Sequence, residues 1–139
     1  MDVEILRLGP RDANVLSRVA PEVFDEPVRA GRLTAYLSEP GHALFVALKD
    51  GEVVAQVACV VHRHPDKATE LYVDEVGVTP ALHRQGIARR MVEDAFAWGR
   101  TQGCEEAWVG TEPDNMPAIA LYRSLRAEPV PFVMFEYDL

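Results

Sequence analysis

The chain has 139 residues, and its 14 basic and 22 acidic side chains give a formal net charge of −8. An acidic chain lacks the positive surface that binds nucleic-acid phosphates, so we expect no nucleic-acid partner. The hydrophobic fraction of 48% is that of a globular protein, and no apolar run approaches the ~20 residues that cross a membrane. The N-terminus lacks a basic region followed by an apolar core, and both cysteines sit in settings typical of free thiols. We therefore expect a cytoplasmic location and no membrane partner.

The length is typical of one domain, here spanning residues 1–139. Apolar spacing and turn residues predict ten elements in the order β-α-α-β-β-β-α-β-α-β. A crossover through a helix joins the strands at 70–78 and 106–110, so these two are expected to be parallel. The fold class is α/β, a mixed, mostly antiparallel sheet with helices on both faces. The predicted strands cover residues 3–8, 42–48, 53–61, 70–78, 106–110 and 130–139, and the predicted helices cover 10–20, 28–38, 86–102 and 116–125.

The chain is organised around the stretch from Asp74 to Val92, which is predicted to form a strand, a short loop and a helix. The first turn of a helix has amide hydrogens with no intrahelical partner, and its dipole favours an anion there. Gly86 and Ala88 are small, so a ligand can approach the backbone closely. Arg84 and Arg89 add positive charge. This pattern is typical of a phosphate-binding helix N-terminus, although an ordinary tight turn with a solvated arginine explains it as well.

Two motifs of this sequence, taken together, resemble the GNAT N-acetyltransferase superfamily. They are the strand end and turn at 76–88, and the later helix from Asn115 to Tyr122. Within the superfamily the chain is most similar to the small aminoglycoside 3-N-acetyltransferases. Two departures stand out: His83 occupies a position that is usually Gln or Arg, and Arg126-Ala127 replace a glycine-aromatic pair.

The resemblance implies acetyl-CoA as the acyl donor. Its pyrophosphate would lie on the amides after Arg84, and its pantetheine arm would run along the strand near Val76 like an added strand. This requires the strand near Val76 to part from the strand near Val109, which gives splayed central parallel strands. The predicted cofactor-binding residues are Val76, Gly77, Val78, Arg84, Gln85, Gly86, Ile87, Ala88, Arg89, Asn115, Ala118 and Tyr122. Asn115 has a second reading, as the cap of its helix.

Acyl transfer to an amine needs a base, because an amine at neutral pH is mostly protonated. Glu75 on the central strand and Glu112 after the parallel strand are the two candidates, and Asp74 is expected on the opposite face of the sheet from Glu75. Tyr122 is the candidate acid for the departing thiolate, or else a buried anchor of its helix. The resemblance favours the acid role.

A cationic small-molecule amine fits an acidic acceptor pocket. Its predicted substrate-binding residues are Asp25, Glu26, Glu75, Glu112 and Asp114, although solvated loop acids would look the same. His62, His64 and Asp66 lie at a predicted hairpin turn without a further ligand, so no metal site is predicted.

These observations predict an N-acetyltransferase that moves acetyl to a primary amine, with the 3-amino group of an aminoglycoside antibiotic as the candidate acceptor. Two alternatives stay open: acetylation of a protein, peptide or polyamine, and a non-catalytic acyl-CoA-binding sensor. A homodimer is implied by the resemblance alone.

Overall fold

The computed structural model describes residues 2–139, which contain one five-stranded sheet whose strands lie side by side in chain order. The first four strands run antiparallel to one another in turn, and the fifth runs parallel to the fourth. The predicted mixed, mostly antiparallel sheet is therefore confirmed. The strands are β1 (Glu4–Arg7), β2 (His42–Lys49), β3 (Glu52–His62), β4 (Glu70–Val78) and β5 (Glu106–Val109), and the helices are α1 (Ala30–Ser38), α2 (Ile87–Thr101) and α3 (Met116–Ser124).

Helices α1 and α2 cover opposite faces of the sheet. On one face, Gly99 of α2 packs against Leu71 of β4. On the other, the Tyr36 hydroxyl of α1 donates to the carbonyls of Ala43 and Cys59 at 2.9 Å. Because both faces are covered, β2 and β3 are almost continuously buried rather than alternating. None of the helices in the described part of the chain is long and apolar enough to cross a membrane.

A β-bulge in β4 sets which side chains share a face. Cys59 pairs with Val73, but the next residue of β3, Ala58, pairs with Glu75, so Asp74 is the extra residue. Burial raises the pKa of Tyr72, and the charge of Asp74 raises it further, which places Asp74 near Tyr72 on the α1 face. The bulge turns Glu75 to that same face. The expectation that Asp74 and Glu75 point to opposite faces is therefore wrong, because strict alternation does not survive a bulge.

The helix predicted over residues 10–20 is also wrong. Only a short 3₁₀ helix forms, at Ala13–Ser17. The chain beyond it is extended and bonds the start of β3: the Val53 N–H donates to Arg18 O and the Ala20 N–H donates to Val53 O, each at 2.9 Å. These bonds satisfy backbone groups that a longer helix would have satisfied internally.

The final strand predicted at 130–139 does not form, since the described residues 126–139 contain neither helix nor strand. Pro129 and Pro131 each lack the N–H that a strand would donate. The apolar side chains that follow are exposed, Phe135 by 76% and Tyr137 by 82%. We call residues 130–139 the C-terminal tail.

Candidate active site

The loop between β4 and α2 is held against the end of β4 by His83. After a 3₁₀ turn at Pro80–Leu82, the His83 Nε2 lies 2.7 Å from the carbonyl oxygen of Val78. A carbonyl can only accept, so this nitrogen carries the proton and donates it. The residue that departs from the family pattern thus anchors the loop. Sequence reasoning noted the departure but missed this role, because nothing in the pattern places His83 beside Val78.

The same loop leaves a row of backbone amides free. Arg84 (φ 64°) and Gly86 (φ 78°) are both left-handed, which curves the chain into the start of α2. Alternating handedness of this kind turns successive N–H groups toward one point. The first helical bond runs from the Arg90 N–H to Gly86 O at 3.1 Å. Within residues 2–139, the amides of residues 84–89 have no protein acceptor. The site can therefore bind a diphosphate at the positive end of the α2 dipole.

The side chains around this loop have distinct surroundings. Ile87 is buried and fixes the first turn of α2 to the core. Nothing lies within 4 Å of a Cβ built on Gly86, so its positive φ, rather than crowding by the protein, favours glycine there. Arg89 forms an exposed pair with Glu93 at 3.2 Å, whereas Arg84 lies within the loop itself and is exposed.

Strands β4 and β5 part at the predicted place. Their pairing ends at Val73 and Val109, whereas β4 remains paired with β3 as far as Val78. From Asp74 to Val78, β4 therefore has no β5 residue beside it. This gap has the shape that an extended arm needs if it is to lie along Val76 and Val78 as an added strand.

A cavity of about 540 Å³ lies on the α2 face of the sheet beside Val73, where the pairing of β4 with β5 ends. Apolar residues of β4, α2 and β5 form its wall, and Glu112 and Tyr122 also line it. Tyr122 is half-buried, and burial raises the pKa of its phenol. The structure thus brings together Tyr122 and Glu112, two of the three predicted catalytic residues.

Glu75 lies elsewhere, on the α1 face beneath the loop that carries Asp25 and Glu26. The Asp25 N–H donates to Glu75 Oε2 at 2.9 Å. Burial raises the pKa of Glu75, and the charges of Asp25, Asp74 and Glu26 raise it further, against a lowering by the Asp25 N–H bond. We call Asp25, Glu26, Asp74 and Glu75 the acidic cluster. The acidic cluster can bind a cation, and Glu75 within it can hold a proton.

Gly77 positions this loop. A Cβ built on it would lie 2.0 Å from the carbonyl oxygen of Val23. Gln56 Nε2 donates to the same oxygen at 3.2 Å. Gly77 is therefore a packing residue on its α1 face, in addition to lying in the strand predicted to bind the cofactor.

Residues 110–115 connect β5 to α3. Asn115 Oδ1 accepts from the Ala118 N–H at 3.2 Å, which is the helix cap that one reading of Asn115 predicted. That bond occupies the Ala118 amide. Asp114 is exposed, and its carbonyl accepts from the Met116 N–H at 2.9 Å.

A sheet that opens between parallel strands, beside a helix N-terminus with free amides, can hold an extended ligand that carries a diphosphate, as the donor site of an N-acetyltransferase must. The chain belongs to the Acetyltransferase (GNAT) family, whose sequence model matches residues 13–126.

Individual proteins agree with this assignment. Aminoglycoside N(6')-acetyltransferase type 1 of Salmonella typhimurium is 25% identical over 97 residues, 67% of each chain. The mycothiol acetyltransferase of Segniliparus rotundus is 30% identical over 128 residues, which are 84% of this chain and 48% of that protein, so this chain spans about half its length.

Solved structures share the fold. An aminoglycoside acetyltransferase from an uncultured soil metagenomic sample, in complex with trehalose, superposes with a TM-score of 0.86 at 22% identity, covering 99% of this chain and 96% of that one. AAC(6')-Iy in complex with a CoA-containing bisubstrate analogue gives a TM-score of 0.81 at 18% identity, covering 100% and 99%.

Proposed function

We propose that this N-acetyltransferase acetylates an amino group of an aminoglycoside. The observation that carries the proposal is the acidic cluster on the α1 face of the β4–β5 gap. Fixed carboxylates complement a polycationic amino sugar better than a neutral acceptor. Relatives named as aminoglycoside acetyltransferases support the same substrate class.

The two faces of the gap divide the reaction between donor and acceptor. The pyrophosphate of acetyl-CoA would bind the free amides of residues 84–89, and its pantetheine arm would run along Val76 and Val78. The acceptor would enter from the opposite face, where Asp25 and Glu26 bind its charged amino groups. The thioester and the amine then meet in the gap.

In the proposed mechanism, Glu75 takes a proton from the bound ammonium, directly or through water. The neutral nitrogen attacks the thioester carbonyl carbon, and a β4 amide near Val76 stabilises the oxyanion. Collapse of the tetrahedral intermediate breaks the C–S bond, and Tyr122 protonates the departing CoA thiolate. We assign the base to Glu75 rather than Glu112 because Glu75 lies within the acidic cluster, where the acceptor amine would bind, and because burial raises its pKa above the ordinary value.

A thiol-release assay with acetyl-CoA tests the substrate class. We expect turnover on aminoglycosides that contain 2-deoxystreptamine, and little on peptides or polyamines. Mass spectrometry and NMR of the product would then identify the acetylated nitrogen. The sequence resemblance favours the 3-amino group, whereas the relative from Salmonella typhimurium is named for the 6' position. Turnover on peptides with none on aminoglycosides would replace this proposal, and tight CoA binding without any turnover would indicate a sensor.

We also propose that the C-terminal tail is covered in a homodimer. Phe132, Val133, Met134, Phe135 and Tyr137 are each at least 65% exposed. Covering them would bury on the order of 700 Å² per copy, close to the ~800 Å² that each partner buries in a standard interface. A second copy offers the same tail, so a twofold arrangement would cover both at once.

A further inference from the structure

Three potential metal ligands meet at the end of the sheet where β3 turns into β4. His62 is the last residue of β3 and Glu70 the first of β4, and the two are direct partners across the strands. Such partners point to the same face of the sheet. His64 follows His62 by two residues. The antiparallel ladder thus brings together residues that the chain separates by up to eight positions.

The ligand atoms are close enough to share one ion. One nitrogen of each histidine and one carboxylate oxygen of Glu70 all lie within 4.8 Å of one another. His64 Nε2 contacts Glu70 Oε1 directly. The two imidazole rings lie 4.2 Å apart between centroids, tilted by 39°. The side chains of His64 and Glu70 are only 15% and 21% exposed, so two of the three ligands are already held in place.

The surrounding charges favour a cation. Glu106 of β5 is the register partner of Glu70, which adds a second carboxylate to the same row of the sheet. Arg63, between the two histidines, acts on the Cys104 thiol and lowers its pKa against the effect of burial.

We propose that His62, His64 and Glu70 form a binding site for a zinc-class divalent transition metal. Two imidazole nitrogens and one carboxylate oxygen are a donor set that Zn²⁺ uses, whereas Mg²⁺ and Ca²⁺ prefer oxygen ligands alone. A water molecule would be the fourth ligand of a tetrahedral site. The sequence predicted no metal site because no further ligand stood beside His62, His64 and Asp66 at the hairpin turn. Asp66 instead pairs with Lys67 at 3.3 Å, and Glu70 supplies the carboxylate.

The proposed metal site lies far from the proposed acyl-transfer site. Glu70 and Val78 are the two ends of β4, and eight residue steps at ~3.3 Å place them roughly 26 Å apart. A metal here would join β3 to β4 and stabilise the hairpin without touching acetyl-CoA. Because the site does not depend on the acceptor, it stands or falls independently of the proposed function.

Metal binding to the untagged, metal-free full chain tests this proposal. We expect Zn²⁺ to bind in calorimetry at one ion per chain, and Co²⁺ to give the visible absorption of a tetrahedral site. Zn²⁺ should also raise the melting temperature. Glu70→Gln, which can still hydrogen-bond His64, should weaken Zn²⁺ binding by at least about tenfold and abolish the melting shift.

Asp66→Asn is the matched control, because it removes a carboxylate from the same hairpin without touching the cluster. It should bind Zn²⁺ as tightly as the wild type. His64→Ala should lose the Co²⁺ absorption, and circular dichroism would show whether it folds. The proposal is overturned if the wild type binds no Zn²⁺, or if Glu70→Gln binds it as tightly as the wild type does.

Discussion

The carbonyl oxygen of Val23 occupies the space where a side chain at Gly77 would begin, 2.0 Å from the position of a Cβ. The loop that carries Asp25 therefore rests directly on the central strand. This contact fixes the position of Asp25 and Glu26, the loop residues of the acidic cluster, relative to the β4–β5 gap.

Gly77→Ala should destabilise the protein by at least about 2 kcal/mol, because either the loop or the strand must move to admit the methyl group. Urea denaturation would measure the loss. Gly31→Ala is the control: Gly31 lies in α1 with no atom within 4 Å of its Cβ position, and helix propensity predicts a gain of roughly 0.5–1 kcal/mol. If Gly77→Ala and Gly31→Ala were equally stable, the close contact between Gly77 and the Val23 carbonyl would be contradicted.

His83→Ala should raise the KM for acetyl-CoA about tenfold, since losing the bond to Val78 frees the loop whose amides we propose bind the pyrophosphate. The KM for the acceptor should change little. His83→Gln can still donate to the Val78 carbonyl and should restore much of the affinity. Steady-state kinetics with each substrate varied in turn would separate these effects, and an unchanged acetyl-CoA KM in His83→Ala would remove His83 from the site.

Glu75 should make stability depend on pH in a defined direction. Its folded pKa is raised above the ordinary value of 4.5, so the folded state holds this proton more tightly than the unfolded state does. The resulting stabilisation is fully present below pH 4.5 and is lost as the pH rises through the folded pKa. Relative to Glu75→Gln, the wild type should therefore lose stability as the pH rises from 4.5 through the raised pKa of Glu75. Melting temperatures of both proteins across that pH range would measure this loss. If the two melting temperatures changed with pH in the same way, the raised pKa of Glu75 would be contradicted.

The same residue should set the acidic limb of the rate profile. Glu75→Gln should lower kcat/KM by about 10²-fold or more and remove that limb, whereas Glu112→Gln should keep it. The opposite pattern would assign the base to Glu112.

Tyr122→Phe should reduce kcat by about 10²-fold while leaving acetyl-CoA affinity nearly unchanged. Burial raises the pKa of the phenol, so Tyr122 keeps its proton throughout the neutral range and can donate it to the thiolate. If Tyr122→Phe kept full activity, Tyr122 would not be the acid and would serve only to anchor α3.

Replacing both Phe135 and Tyr137 with Glu should convert a dimer to a monomer, because two charges would enter a desolvated interface. Light scattering coupled to size-exclusion chromatography would measure the mass, with Glu136→Gln as the control. A monomeric wild type at high concentration would contradict the dimer.

The sequence by itself determined the elements whose signals are local. The glycine turn at Gly86 and the apolar spacing after it predicted α2 and the free amides at its start, and the crossover predicted that β5 runs parallel to β4. Family motifs placed Tyr122 and Glu112, which line one cavity. The turn at 64–69 marked the β3–β4 hairpin.

The tertiary structure decided what depends on residues far apart in sequence. The bulge at Asp74 turned Glu75 toward Asp25, and strand register brought Glu70 to the histidines. Arg18 and Ala20 found backbone partners at Val53, so the first helix stopped short, while the C-terminal tail found none and formed no strand. Local patterns report propensity and periodicity, but backbone groups and charges are satisfied by whichever partner the fold brings near.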